Sequence, residues 1–142
     1  MSRLHDLWII LAWTGVVTAI MLNTYYHRSC VQFTQQNDLS DPCQSLTDLV
    51  LIFTAAAGAS TALASEKTAI VGFLFVHLLS TIFFILALAL PSLLGLESPV
   101  LSDILLVRSL VIAFRYEFPF AIITSLLGSV FGLYLESKLR IS

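Results

Sequence analysis

Long apolar stretches, separated by short polar segments, are the dominant pattern along this chain. A helix needs roughly 17–25 apolar residues to cross the hydrocarbon core of a bilayer. Four stretches almost free of ionisable side chains reach that length, at about residues 7–26, 49–65, 68–90 and 118–135. They predict four transmembrane helices. Pro91 is expected to mark the point at which the third helix leaves the membrane.

The length of the first apolar stretch distinguishes it from a secretory signal peptide. Its run exceeds the roughly 7–15 residues of a signal-peptide core, and no A-x-A-like cleavage site follows it at a suitable distance. Trp8 and the pair Tyr25 and Tyr26 lie near its opposite ends, where aromatic rings favour the headgroup layer. We therefore predict a retained helix, in which the deeper Trp13 is a packing residue.

Residues 98–117 are apolar around most of a helix but carry Asp103, Arg108 and Arg115. As a fifth span they would offer only about fifteen residues, with charges inside, and each mid-membrane charge costs about 2.5–3.5 kcal/mol on insertion scales. A helix that lies in the interface, or packs on neighbouring helices, avoids much of that cost. The pattern favours an interfacial helix at about residues 100–115 over a fifth span. Pro119 is then expected in the first turn of the last span.

Composition agrees with a membrane location. Of the 142 residues, 58% are hydrophobic and 11% are charged, whereas soluble domains are about 25% charged. So few charged side chains cannot cover the surface of a soluble domain of this size. A net charge of −2 without a basic stripe excludes a nucleic-acid binder. We predict an all-α integral membrane protein in which residues 1–142 form a single membrane domain.

Both cysteines, Cys30 and Cys43, fall in the polar loop at residues 27–48. Two cysteines in one such loop favour a disulfide on the oxidising face of a membrane; a metal site and unpaired thiols are the alternatives, although C-x₁₂-C is not a zinc spacing. A weak excess of basic residues on the side of both termini agrees with this orientation. The prediction is a protein of the cell membrane, with both termini cytoplasmic and the loop outside. Ser45 or Thr47 is expected to cap the second span, and Asp48 suits its first turn.

Small residues at a spacing of four predict where helices pack closely, because membrane helices associate through close backbone approach. The second span contains Thr54, Gly58 and Ala62, beside the pair Ala56 and Ser60; the last span contains Thr124, Gly128 and Gly132. We predict close pairing of these two spans. Whether these faces pack within one chain or against a partner subunit or second copy stays open.

His77 is the strongly polar residue inside a predicted span, which makes it a functional candidate. It could bind haem or a quinone, or belong to a proton path; the alternative is a neutral imidazole hydrogen-bonded to a backbone carbonyl or to the hydroxyl of Ser80 or Thr81. Arg108 and Arg115 share a helical face and could hold lipid phosphate or a carboxylate. Their alternative role is to anchor the helix by snorkelling.

No motif of a nucleotide-binding loop, serine hydrolase, zinc protease or dithiol redox centre occurs. No carboxylate is expected at mid-membrane depth, which argues against proton-coupled transport. The leading hypothesis is therefore a non-catalytic accessory or structural subunit of a larger membrane complex, with the bilayer and other subunits or a second copy as partners. One alternative is a small oligomeric channel or carrier lined by Thr54, Ser60, Thr61, Thr124, Ser125 and Ser129. The other is a haem- or quinone-associated redox subunit that uses His77.

Overall fold

The structure, a computed structural model, describes residues 2–28, 45–63, 65–95 and 99–141. These ranges are almost entirely helical and contain no strand. Their α-helices are α1 (Ser2–Arg28), α2 (Leu46–Ala62), α3 (Glu66–Leu93), α4 (Pro99–Tyr116) and α5 (Ile122–Ile141). The segment Glu117–Ala121, which is kinked at Phe118, joins α4 to α5 and is called the joint below.

The first turn of α2 is fixed by a reciprocal cap. The backbone N–H of Asp48 donates to Ser45 Oγ at 3.0 Å, and the backbone N–H of Ser45 donates to Asp48 Oδ2 at 2.8 Å. This capping box satisfies two amides that have no partner within the helix. The predicted start of the second span is confirmed, with Ser45 as its cap.

Residues next to the two ends of α3 determine where this helix begins and ends. At its start, Ser65 Oγ accepts from the backbone N–H of Thr68 at 3.2 Å. At its far end, α3 continues through Pro91 to Leu93. Gly95 then adopts φ +69°, a left-handed conformation that glycine reaches without strain. The helix therefore extends two residues beyond Pro91.

Contacts between the helices show which of them are parallel. Ile10 faces Gly72, the hydroxyl of Ser80 donates to the backbone O of Thr14, and the rings of Tyr25 and Phe84 lie 6.0 Å apart. Residue numbers rise together along these pairs, so α1 and α3 are parallel. The same holds for α2 and α5, in which Phe53 faces Gly128 and Ala57 faces Gly132. The start of α1, the α2–α3 turn and the end of α5 consequently lie at one end of the bundle.

The charged segment α4 packs along α3, with Ser109, Ile112 and Ala113 buried. Packing on a neighbouring helix is one of the two arrangements that reduce the cost of its charges. The second half of α4 belongs to the apolar segment Ser109–Leu139, whereas an interfacial position for its first half stays a prediction. The joint breaks the helix at Phe118, whose φ −111° and ψ 132° are extended because the residue before a proline avoids helical angles. Pro119 directly follows this break, at the start of the helical residues that continue into α5, which agrees with the expectation for it.

One apolar core connects the first four helices and the joint. Its best-buried side chains are Trp13, Val17, Met21, Ile52, Ala56, Val76, Phe84, Ile112, Ala113, Tyr116 and Ala121. Trp13 has the packing position predicted for it. By contrast, Phe75 and Phe83 are exposed on the outer surface of α3. Helix α5 is held mainly by its contact with α2.

The outer surface is apolar along the helices, as a bilayer requires. Three segments are long and apolar enough to cross a membrane, Leu4–Tyr26, Glu66–Leu90 and Ser109–Leu139, and the 17-residue α2 is a shorter apolar helix. The fold is that of an all-α membrane protein.

Candidate functional site

The imidazole of His77 meets a carboxylate inside the bundle. Nδ1 of His77 lies 2.7 Å from Oε2 of Glu117, and both side chains are buried, with 9% and 7% of their surface exposed. At this distance the two atoms share a hydrogen bond, whichever of them carries the proton. The alternative considered from the sequence, a ring bonded to a backbone carbonyl or to the hydroxyl of Ser80 or Thr81, did not include this partner of Nδ1.

Thr81 completes the polar cluster from the next turn of α3. Its hydroxyl lies 2.8 Å from the backbone O of His77 and 3.3 Å from Oε1 of Glu117, so its single hydrogen is divided between two acceptors. On the preceding turn, the Phe73 ring meets the imidazole edge at a centroid distance of 4.8 Å. We call His77, Thr81 and Glu117 the polar cluster.

The second ring nitrogen of His77 makes no hydrogen bond within the described part of the chain. Nε2 is buried and has no hydrogen-bond partner among the described residues. When Nδ1 carries a hydrogen and donates it to the carboxylate, Nε2 of a neutral imidazole is an acceptor. When the ring is cationic, Nε2 is a donor. Either form leaves one unused hydrogen-bonding position in the bundle.

The polar cluster lies near the middle of an apolar helix. Within the candidate span Glu66–Leu90, 11 residues precede His77 and 13 follow it. At a rise of about 1.5 Å per residue, these correspond to about 16 Å and about 20 Å. Ionisable groups at such depth are rare and costly, and they mark functional sites by default.

The joint positions Glu117, which sequence reasoning placed outside the last span. The extended backbone at Phe118 separates α4 from α5, and Glu117 is the last residue before it, with its side chain in contact with α3. The expectation that no carboxylate occupies this depth is therefore wrong. A signal for it exists in the sequence: Arg115 and Glu117 are the charged residues of an otherwise uncharged region from Ser109 to Leu135, and the helix breaker Pro119 follows them.

The predicted arginine site is described only in part. Arg115 is exposed on the surface of α4, next to the buried Tyr116. The backbone of Arg108 belongs to α4, but its side chain lies outside the described residues, as do Cys30 and Cys43. The disulfide thus stays a prediction.

The last span contributes the glycines that allow α5 to approach α2. A Cβ at Gly128 would collide with the carbonyl O of Phe53 and lie 3.0 Å from Ala56 Cβ, and one at Gly132 would collide with the carbonyl O of Ala57. Thr124, on the same helix, is half-buried. Close backbone approach is the contact that small residues permit in membranes.

On α2, the predicted residue Ala56 contacts α5 and its predicted neighbour Ser60 is buried, but the predicted face of Thr54, Gly58 and Ala62 does not pack against α5. Gly58 and Ala62 are exposed, and a Cβ at Gly58 would meet no atom of the described residues within 4 Å. The contacting face carries Phe53, Ala56 and Ala57 instead. Consecutive small residues give several faces of α2 equally small side chains. The spacing of small residues alone therefore did not identify the face that packs against α5.

The hydroxyl groups suggested for a solute path lie on different sides of the bundle. Ser60, Ser125 and Ser129 are buried, and the hydroxyl of Ser129 donates to the backbone O of Ser125 at 2.9 Å. Thr54 is exposed and donates to the backbone O of Val50. Thr61 is half-buried and donates to the backbone O of Gly58.

No known family model, curated protein or solved structure matches this chain. The polar cluster, the helix faces and the surface charges of the chain therefore carry the functional argument.

Proposed function

We propose that this protein is a non-catalytic membrane protein whose His77–Glu117 pair binds and releases a proton inside the bilayer. The observation that carries the proposal is the buried 2.7 Å contact between Nδ1 and Oε2. An imidazole and a carboxyl group in hydrogen-bond contact can share a proton, because either group can carry it. Gain or loss of a proton by the pair changes the net charge in a region of low dielectric.

A proton-binding role accounts for features that packing alone does not require. An apolar pair of similar volume would fill the same space without desolvating two ionisable groups. Moreover, the unused Nε2 of His77 leaves a position through which a water molecule or a partner group can exchange a proton with the pair.

The position of Glu117 connects proton binding to the helix backbone. Glu117 opens the joint, where extended Phe118 interrupts the helix. Breaks in membrane helices are frequent at functional sites. A change in charge on Glu117 therefore acts directly beside the break between α4 and α5.

Infrared difference spectroscopy on the full chain in lipid nanodiscs tests this function. We expect a protonated-carboxyl band that changes when the pH of the sample is varied, disappears in Glu117→Gln and shifts in His77→Asn. The matched control is Glu66→Gln, at the exposed start of α3. ¹⁵N spectra of the His77 ring should report the same transition. A Glu117-dependent band or ring signal that does not change with pH overturns the proposal and leaves the pair with a structural role.

We also propose that the protein acts as an accessory subunit of a membrane assembly, with other proteins or a second copy as partners. The supporting observation is the exposed α2 face of Thr54, Gly58 and Ala62, which does not pack within the described chain. Lipid fills such a shallow face less well than a helix that approaches closely.

Photo-crosslinking in native membranes tests this association. A photoreactive residue at Thr54 should give protein adducts, whereas the same residue at the exposed Phe75 of α3 should give mainly lipid adducts. Lipid adducts at both positions would contradict association through α2.

For the orientation, we propose a location in the cell membrane with both termini cytoplasmic and residues 27–48 outside. The placement of both chain ends at one end of the bundle supports it, as does the pair of cysteines in the loop. Tags at the two ends should be protected together in sealed right-side-out cells. Protection of one tag alone would contradict this topology.

A further inference from the structure

From Ser109 onwards, where the structure describes every side chain of α4, its outer face is apolar apart from Arg115. Val111, Phe114 and Phe118 are exposed there by 54%, 66% and 57% of their surface, and the Arg115 side chain is exposed beside them. Phe114 and Phe118 stack with their ring centroids 5.7 Å apart and an interplanar angle of 18°. The result is a flat aromatic surface next to a guanidinium group. We call Val111, Phe114, Arg115 and Phe118 the α4 surface.

Arg115 lies close to the middle of the apolar bundle. It precedes Glu117 by two positions, a rise of about 3 Å along a helix. Glu117 in turn contacts His77, near the centre of the span Glu66–Leu90. A guanidinium at this depth is well inside a hydrocarbon core of about 30 Å. Arginines in such positions characteristically face a polar partner or a water-filled cavity.

The described part of the chain supplies no acidic partner for this arginine. The carboxylate nearest to it in sequence, that of Glu117, is bonded to His77 instead. Residues two apart on a helix do not face each other, so Glu117 points to α3 while Arg115 points outwards. The positive charge is left on the surface that the chain presents to its surroundings.

We propose that the α4 surface binds a transmembrane helix of another protein, and that this helix carries a carboxylate at the depth of Arg115. A guanidinium fork matches a carboxylate in two parallel hydrogen bonds, and the stacked rings offer apolar contact on one side. The inference rests on the proposed role as a subunit and names the chemistry of its partner; it does not depend on proton binding.

The depth of Arg115 in the membrane argues against two other binding partners, a lipid phosphate and a second copy of this chain. Lipid phosphates lie beyond the hydrocarbon core, about 15 Å from its centre. In a second copy with the same membrane orientation, every group has the same depth as in the first. Glu117 is the acidic residue at this depth and already contacts His77, whereas Asp103 is twelve positions, or about 18 Å, away along α4.

Binding of designed peptides to the full chain in nanodiscs of zwitterionic lipid tests the proposal. The probes are fluorescent poly-leucine transmembrane peptides with a central glutamate, a central glutamine or leucine throughout, read by energy transfer to the labelled protein. We expect the glutamate peptide to bind about tenfold more tightly than the leucine peptide, the size of a good interhelical polar contact. Arg115→Gln should remove this preference, and Arg115→Lys should keep part of it. The control Lys138→Gln, at the exposed end of α5, should leave it unchanged.

The remaining outcomes overturn the proposal in distinguishable ways. Equal binding of all three peptides would show helix association without charge recognition, which would leave the subunit role standing. Self-association of the protein that depends on Arg115 would identify a second copy as the occupant. Binding that needs anionic lipid but does not distinguish the peptides would assign Arg115 to a lipid headgroup. Thermal unfolding of each variant verifies that it remains folded.

Discussion

His77 and Glu117 are 40 positions apart in the chain, yet Nδ1 of one lies 2.7 Å from Oε2 of the other inside the helix bundle. The contact joins the middle of α3 to the joint between α4 and α5. Because the contact links two elements that are distant in sequence, we expect it to contribute to the free energy of unfolding.

Removing either partner should destabilise the protein, because the other is left buried without its hydrogen bond. Glu117→Ala and His77→Ala should each lower the free energy of unfolding by about 1–3 kcal/mol. The double variant should lose less than the sum of the two, by about 0.5–3 kcal/mol. Denaturant unfolding in mixed micelles measures this coupling. Strictly additive losses would contradict a direct interaction, and Glu66→Ala serves as the exposed control.

The helices were largely predictable because uncharged stretches of bilayer length define them without knowledge of the tertiary structure. The start of α2 was predictable for a local reason as well: Ser45 and Asp48 are three positions apart and make both bonds of the cap themselves. Such features depend on neighbours in the sequence.

The polar cluster was only half predictable, because its two halves come from distant parts of the chain. His77 was a candidate from its position inside an apolar stretch. Glu117 was missed, since charge-based boundaries assume that a carboxylate lies outside a span, and only the fold brings α3 against the joint. The face of α2 was misjudged for a related reason: Ala56 and Gly58 are both small, and the position of α5 decides which of them is buried.

The cap of α2 gives a prediction about a single helix end. Ser45→Ala removes the acceptor for the backbone N–H of Asp48 and should cost about 0.5–2 kcal/mol. Faster hydrogen exchange in the first turn of α2 would report the loss locally. Thr47→Ala, at an exposed position of the same turn, should have little effect. Equal exchange in the two variants would argue against the capping box.

The predicted bond between Cys30 and Cys43 can be tested chemically. In protein from intact cells, a maleimide reagent should label neither thiol before reduction and both after it. Cys30→Ser should destabilise the protein by roughly 3 kcal/mol, the entropy of closing a loop of about this length. The matched variant Cys43→Ser should give the same loss, because either change opens the same loop. Equal labelling with and without reduction would show free thiols.

Alanine substitutions at three helical glycines distinguish the effect of close helix packing on stability from the effect of helix propensity. Gly128→Ala would drive a methyl group into the backbone of α2 at Phe53, so the helices must separate; we expect a loss of about 1–3 kcal/mol. Gly15→Ala and Gly58→Ala meet no described atom within 4 Å and should be neutral or stabilising by up to about 1 kcal/mol, since alanine favours a helix more than glycine does. Unfolding of the three variants in the same micelles provides the comparison. If Gly58→Ala were as destabilising as Gly128→Ala in the monomer, the assignment of the α2 face to α5 would be wrong.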